Sequence, residues 1–165
     1  MTGRGVGAAL CAARNLLPAL LLPVLLPACA GKKPPEERVR AFVARAEEAA
    51  EARDLSALKE MVSADYADQS GRNRRGLMGI LTVHFMRNES VHLLTRIAQI
   101  RLDEPARAEV TVFVAMAGTP IPEAGELRRL RADLYRFDLR LDETPGGKWQ
   151  LRTAAWRPAA PADFL

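Results

Sequence analysis

Leu130 to Arg157, LRADLYRFDLRLDETPGGKWQLRTAAWR, is the stretch that decides the fold. Its first half alternates, with Asp133, Tyr135, Phe137, Leu139 and Leu141 on one face and Arg136, Asp138 and Arg140 on the other. A period of two with apolar and charged residues on opposite faces marks a half-buried strand. Pro145-Gly146-Gly147 turns the chain, and Lys148 to Arg157 returns as a final strand. Upstream, Ala106 to Ala117 is apolar on both faces in its second half, where Val110, Val112, Val114 and Met116 oppose Phe113, Ala115 and Ala117. Such a strand is covered on both sides. Val91 to Leu102 alternates and then slips phase, so a bulge near Ala98-Gln99 is expected to restore one inner face.

Before Asn88 the period is 3.6. Leu77, Ile80, Leu81, His84 and Phe85 predict a helix over about Arg74 to Arg87. Val39, Phe42, Val43, Ala46 and Ala50 predict another from Glu36 to about Arg53, with Glu36 and Glu37 at the positive end of its dipole. Asp54 is placed to cap a short helix running through Met61, while Ser63 to Gly76 reads as polar and irregular. Three helices followed by about four antiparallel strands make an α+β domain over 36–157, with a frayed tail over 158–165.

The chain ahead of this domain carries an address. Arg4 and Arg14 precede an apolar run, Leu16 to Leu26, that ends in Leu26-Pro27-Ala28-Cys29 and breaks into Gly31-Lys32-Lys33-Pro34-Pro35. Basic start, apolar middle and small residues before a cut form the pattern of a secretory signal peptide, here 1–28. The run is 11 residues long, too short to span a bilayer, which takes about 20. The cysteine at the cut resembles the lipobox of bacterial lipoproteins. That resemblance implies lipidation at Cys29 with acyl chains such as palmitate, a tether over 29–35, and an anchor in the cell envelope. Ala30 stands where an inner-membrane retention aspartate would be, so the resemblance implies an outer-membrane protein facing the periplasm.

Cys11 leaves with the leader and Cys29 is taken by lipid, so no disulfide is available to the domain. About 130 residues are enough for one apolar core. Removing Arg4 and Arg14 leaves 22 basic side chains of the original 24 against 20 acidic ones. With so small an excess, and arginine and alanine abundant as in a GC-rich genome, no nucleic-acid partner is expected. Two histidines eight residues apart, at 84 and 92, make no zinc pattern, and no phosphate loop, dinucleotide glycine motif or nucleophile elbow occurs. No cofactor is expected.

The order of elements, the Tyr66-Ala67-Asp68-Gln69-Ser70-Gly71 loop and the Trp149-Gln150-Leu151 to Trp156 strand resemble the nuclear transport factor 2-like (SnoaL-like) superfamily. The resemblance implies a curved sheet wrapped around helices as a cone. It also implies a choice among isomerase, dehydratase or cyclase chemistry, transport adaptors and non-catalytic modules, which fold does not settle. It further implies a homodimer paired sheet against sheet, which the two-sided apolar strand also suggests. Candidate acid/base residues are His84, Asp133, Tyr135 and Asp68. Each has a plainer reading: His84 as a hydrogen-bonded core histidine, Asp133 as an ion-pair partner of Arg128, Arg129 or Arg131, Tyr135 as a packed ring, and Asp68 as a turn former. The function expected from these residues is non-catalytic binding of a small apolar ligand or an envelope partner protein through the cone. The alternative is a small enzyme that uses an Asp/His pair.

Overall fold

The computed structural model describes residues 33–103 and 106–165; the expected leader, Cys29 and all but the end of the tether lie outside them. Helix α1 runs Pro35–Glu51 with its proline in the first turn, where a missing N–H breaks no helical bond. It buries Val39, Phe42, Val43 and Ala49. The helix stops short of Arg53 because Arg53 takes a left-handed φ of 56°. Its guanidinium donates to the Glu89 carbonyl at 3.0 Å, which holds this corner to the end of the third helix. Asp54 caps α2, Leu55–Met61, as expected: its carboxylate accepts the N–H groups of Ser56 and Ala57, both at 2.9 Å. Helix α3, Arg74–Arg87, is capped by Asn73, which accepts the Gly76 N–H at 3.0 Å.

The expected α+β architecture is present, with one strand more than the four expected. β1 is Val62–Asp68, β2 His92–Asp103, β3 Arg107–Ala117, β4 Asp133–Glu143 and β5 Trp149–Pro158. The sheet order is β1-β5-β4-β3-β2, antiparallel except that β1 lies parallel to β5, so the sheet is mixed. β1 occupies the segment that reads as irregular in sequence. Its pairing is broken, with Val62 opposite Leu151 and then Ala67 opposite Thr153. A strand that borrows its hydrogen bonds from one side of β5 needs no alternating pattern of its own.

The bulge falls where the phase slip put it. Ile97 pairs with Val112 and Gln99 with Thr111, leaving Ala98 as the extra residue. Ile97 and Ile100 therefore both reach the core formed by Val39, Phe42 and Val43 of α1 with Ala108, Val110 and Val112 of β3. Each of these larger side chains contributes roughly 1.5–3 kcal/mol by burial.

The other face of β3 is covered by the same chain. Leu127, in a 3-10 turn over Ala124–Arg128, and Phe164, in another over Pro161–Phe164, pack on Phe113 and Ala115. The Phe113 and Phe164 rings lie 5.8 Å apart, and Arg96 donates to the Asp163 carbonyl at 2.9 Å. The tail expected to fray is thus docked, because Phe164 finds an apolar surface that its local sequence does not reveal. Nearer the middle of the sheet this outer face is polar, and Thr111 donates to Asp138 at 2.8 Å. Among the described residues, no helix is long and apolar enough to cross a membrane.

Candidate functional site

Helix α3 presents its apolar stripe to the sheet without closing on it. Phe85 alone in α3 is buried; Leu77, Leu81 and His84 are half-buried, and Ile80 is 43% exposed. The gap is a cavity of about 260 Å³. Leu77, Ile80, Leu81 and His84 form one wall; Met116 of β3, Asp133, Tyr135 and Phe137 of β4, and Trp156 of β5 form the other. Strand pairing builds that second wall, since Met116 lies opposite Asp133 and Phe137 opposite Trp156. Its rings form a continuous aromatic surface, with Tyr135–Phe137 centroids 6.2 Å apart and Phe137–Trp156 centroids 6.1 Å apart. A smaller polar recess of about 130 Å³ shares His84, Met116 and Asp133 and adds Asn88, Ser90 and Arg131 among its walls.

His84 stands where the apolar cavity meets the polar recess. Its Nδ1 lies 3.5 Å from the Asn88 amide nitrogen, and its Nε2 is buried with no hydrogen-bond partner. If Asn88 donates to Nδ1, the neutral ring carries its proton on Nε2, an assignment made from the hydrogen-bond geometry. At Nε2 the ring thus lacks the partner expected of a hydrogen-bonded core histidine, and a buried unpaired polar group costs about 1–3 kcal/mol. Asp133 is exposed, and neither Arg128, Arg129 nor Arg131 pairs with it; Arg129 instead approaches Glu126 at 3.7 Å. The Tyr135 hydroxyl makes no hydrogen bond among the described residues. His84, Asp133 and Tyr135 therefore border one cavity, each with unused hydrogen-bonding capacity.

Asp68 is placed elsewhere. Its buried carboxylate accepts the N–H groups of Ser70 at 2.7 Å and Arg72 at 2.9 Å, and the Arg72 guanidinium at 2.6 Å. Burial pushes its pKa up, but these donors together outweigh that and hold it below the ordinary carboxylate value. This carboxylate fixes the loop into α3. It reaches the cavity only indirectly, through the Arg72 guanidinium, which lies 5.4 Å from the Trp156 ring centroid. Gln69 also fixes Trp156: its side-chain oxygen accepts the Trp156 backbone N–H at 3.0 Å and its amide donates to the Trp156 backbone carbonyl at 3.1 Å. Tyr66 is buried behind this loop, its hydroxyl unpaired and its pKa pushed up to about 12 by burial and by Asp68.

Met116, Phe137, Trp156 and Asn88 also line the site, though nothing in their local sequence marks them as site residues. The cross-strand position of Trp156 opposite Phe137 was the available signal, and it needed the β4–β5 register. Among the described residues no cluster of three or more His, Cys, Asp or Glu side chains could hold a metal.

No protein-family model matches this sequence, and no curated protein sequence matches it. Solved structures do resemble it. A candidate dehydratase of the nuclear transport factor 2-like family from Streptomyces avermitilis superposes with a TM-score of 0.59 at 17% identity, over 76% of this chain and 97% of that one. A ketosteroid isomerase-like protein from Erwinia carotovora atroseptica gives 0.57 at 15% identity, over 76% and 96%. Bd1075 of Bdellovibrio bacteriovorus gives 0.58 at 11% identity, and this chain spans 40% of its length against 75% of its own. At such identities the likeness concerns the fold alone. The helices, the curved mixed sheet and these superpositions together give the chain the nuclear transport factor 2-like cone fold.

Proposed function

We propose that the cone binds a small, largely apolar ligand carrying one hydrogen-bonding group, in a protein anchored to the cell envelope by lipid at Cys29. One observation carries the ligand reading: the aromatic wall of Tyr135, Phe137 and Trp156 lies across from His84, whose Nε2 is buried and unpartnered. Apolar walls with a few convergent polar groups are the usual make-up of small-molecule sites, and about 260 Å³ lies just below their usual range, which suits only a small ligand. The anchor reading rests on Leu26-Pro27-Ala28-Cys29 and the apolar run before it. Two acyl chains give stable membrane attachment where one is marginal.

Binding is tested by titrating the full chain with small aromatic ketones and phenols while following Trp156 emission, with Trp156→Phe as the control. Saturable quenching present in the wild type and absent in the control supports the reading. A panel that gives no saturable response, or the same response in both proteins, refutes it.

A second reading is proton transfer on a bound carbonyl compound. It is favoured by Asp133 having no ion-pair partner while it shares the cavity with His84 and Tyr135. A carboxylate or imidazole could take a proton from carbon while the phenol or imidazole N–H holds the developing oxyanion. Exchange of ligand protons α to the carbonyl into deuterated water, lost in both His84→Ala and Asp133→Asn, would establish catalysis; binding without exchange would leave the ligand reading alone.

A further inference from the structure

A second recess, of about 190 Å³, lies beside the first turns of α1. Arg38, Phe42 and Arg45 line it from one face of the helix, at i, i+4 and i+7. Gly147, Lys148 and Trp149 line it from the β4–β5 turn and the start of β5. The turn is held in place by Gly147 at φ 77°, a left-handed position suited to glycine. Arg38 is already engaged. It donates to both Glu143 oxygens, at 2.6 and 3.2 Å, and to the Gly147 carbonyl at 2.8 Å, and its guanidinium lies 5.7 Å from the Trp149 ring centroid.

What remains around the recess is donor-rich. Arg45 and Lys148 are exposed and pair with no acid among the described residues. Trp149 is 7% exposed, and its indole Nε1 is buried with no acceptor. An indole N–H can only donate. Two cations with no acidic partner among the described residues stand at the recess beside the Trp149 ring, and the nearby Glu143 carboxylate is held by Arg38, so the recess suits an oxyanion, which accepts charge-assisted hydrogen bonds. The small size of the recess suits a single phosphoryl group.

We propose that this recess binds a phosphoryl group. Two sources offer one: a phospholipid headgroup or free phosphate. The first is within reach, because five residues separate Cys29 from Pro35, the start of α1, and the six Cα–Cα steps between them extend at most about 20 Å. That source rests on lipidation at Cys29; the phosphoryl chemistry rests on the recess alone.

The test uses the full chain in neutral detergent with Trp156→Phe, which leaves Trp149 as the sole tryptophan of the two in the sequence. Its emission is followed against inorganic phosphate, against phosphatidylglycerol in the micelles, and against diacylglycerol and sodium chloride as controls. The expected result is a saturable change with a phosphoryl compound, none with either control, and apparent affinity weaker by roughly tenfold in Arg45→Gln/Lys148→Gln, as two partly screened charges imply. Both substituted side chains are exposed, so the fold is not at stake. Response to phosphatidylglycerol without response to phosphate assigns the headgroup; response to phosphate at similar or lower concentration assigns the free anion. Absence of both responses, or an unchanged response in the double variant, overturns the proposal. Because the phosphate arm needs no anchor, failure of lipidation and failure of this site are separate results.

Discussion

His84→Leu is the substitution that best tests the account of the cavity. If the histidine were a satisfied core residue, as the sequence alone suggests, leucine would recover only part of a loss of about 1–3 kcal/mol seen in His84→Ala. The structure reverses that expectation. Nε2 has no partner to lose, and the Asn88 amide keeps its bond to the His84 carbonyl at 2.8 Å whatever side chain stands at 84. Leucine removes a buried unpaired polar atom, a gain of about 1–3 kcal/mol. It forfeits the edge contact with Phe85 at 6.1 Å, worth about 0.5–1.5 kcal/mol. The net expectation lies between about 0.5 kcal/mol less and about 2.5 kcal/mol more stable than wild type, centred on an upward shift in Tm of several degrees for a domain of this size. Urea and thermal melts of the full chain measure it, and ligand titration of the same variant should show binding weakened or lost. Destabilisation by more than about 1 kcal/mol would mean that the imidazole is held by a partner, and the reasoning would fail.

Other consequences can be measured as directly. Asp68→Asn keeps an acceptor for the Ser70 and Arg72 backbone N–H groups but puts an amide donor where the carboxylate accepts the Arg72 guanidinium, so it should cost about 1–3 kcal/mol at pH 7. Because the folded pKa of Asp68 is lowered, its stabilisation is present above the ordinary value of 3.8 and is lost as pH falls below it; acid melts should show a weaker pH dependence below about pH 4 in Asp68→Asn, and an unchanged slope would contradict the assignment. Phe164→Ala should destabilise by about 3–5 kcal/mol, as for other buried phenylalanines, and expose Phe113, with concentration-dependent association in light scattering. The same measurement on the intact protein tests the homodimer that the resemblance implies; twice the monomer mass would support it, and the monomer mass at low micromolar concentration would refute it. Cys29→Ser should abolish incorporation of a labelled fatty acid, and equal labelling of variant and wild type would remove the anchor from the account.

The sequence by itself determined the order and kind of nearly every element, because periodicity, capping and turn chemistry are properties of neighbouring residues. Asp54 capped α2, Arg74 and Arg87 bounded α3, and the phase slip at Ala98 announced the bulge. It also placed Asp133 and Tyr135 on one strand face and His84 on the inner side of a helix. Tertiary structure decided the rest. β1 exists because β5 offers it hydrogen bonds, and Phe164 is docked because the outer face of Phe113 and Ala115 accepts it. Asp68 was legible as a turn former, yet only the fold showed Arg72 closing on it and passing that order to Trp156. A pattern of apolar residues states which side of an element faces inward, not how far away the opposite wall stands. That distance, set by how the strands pair and how α3 is held by its caps and loop, makes the stripe of Leu77, Ile80, Leu81 and His84 the wall of a cavity instead of part of a closed core.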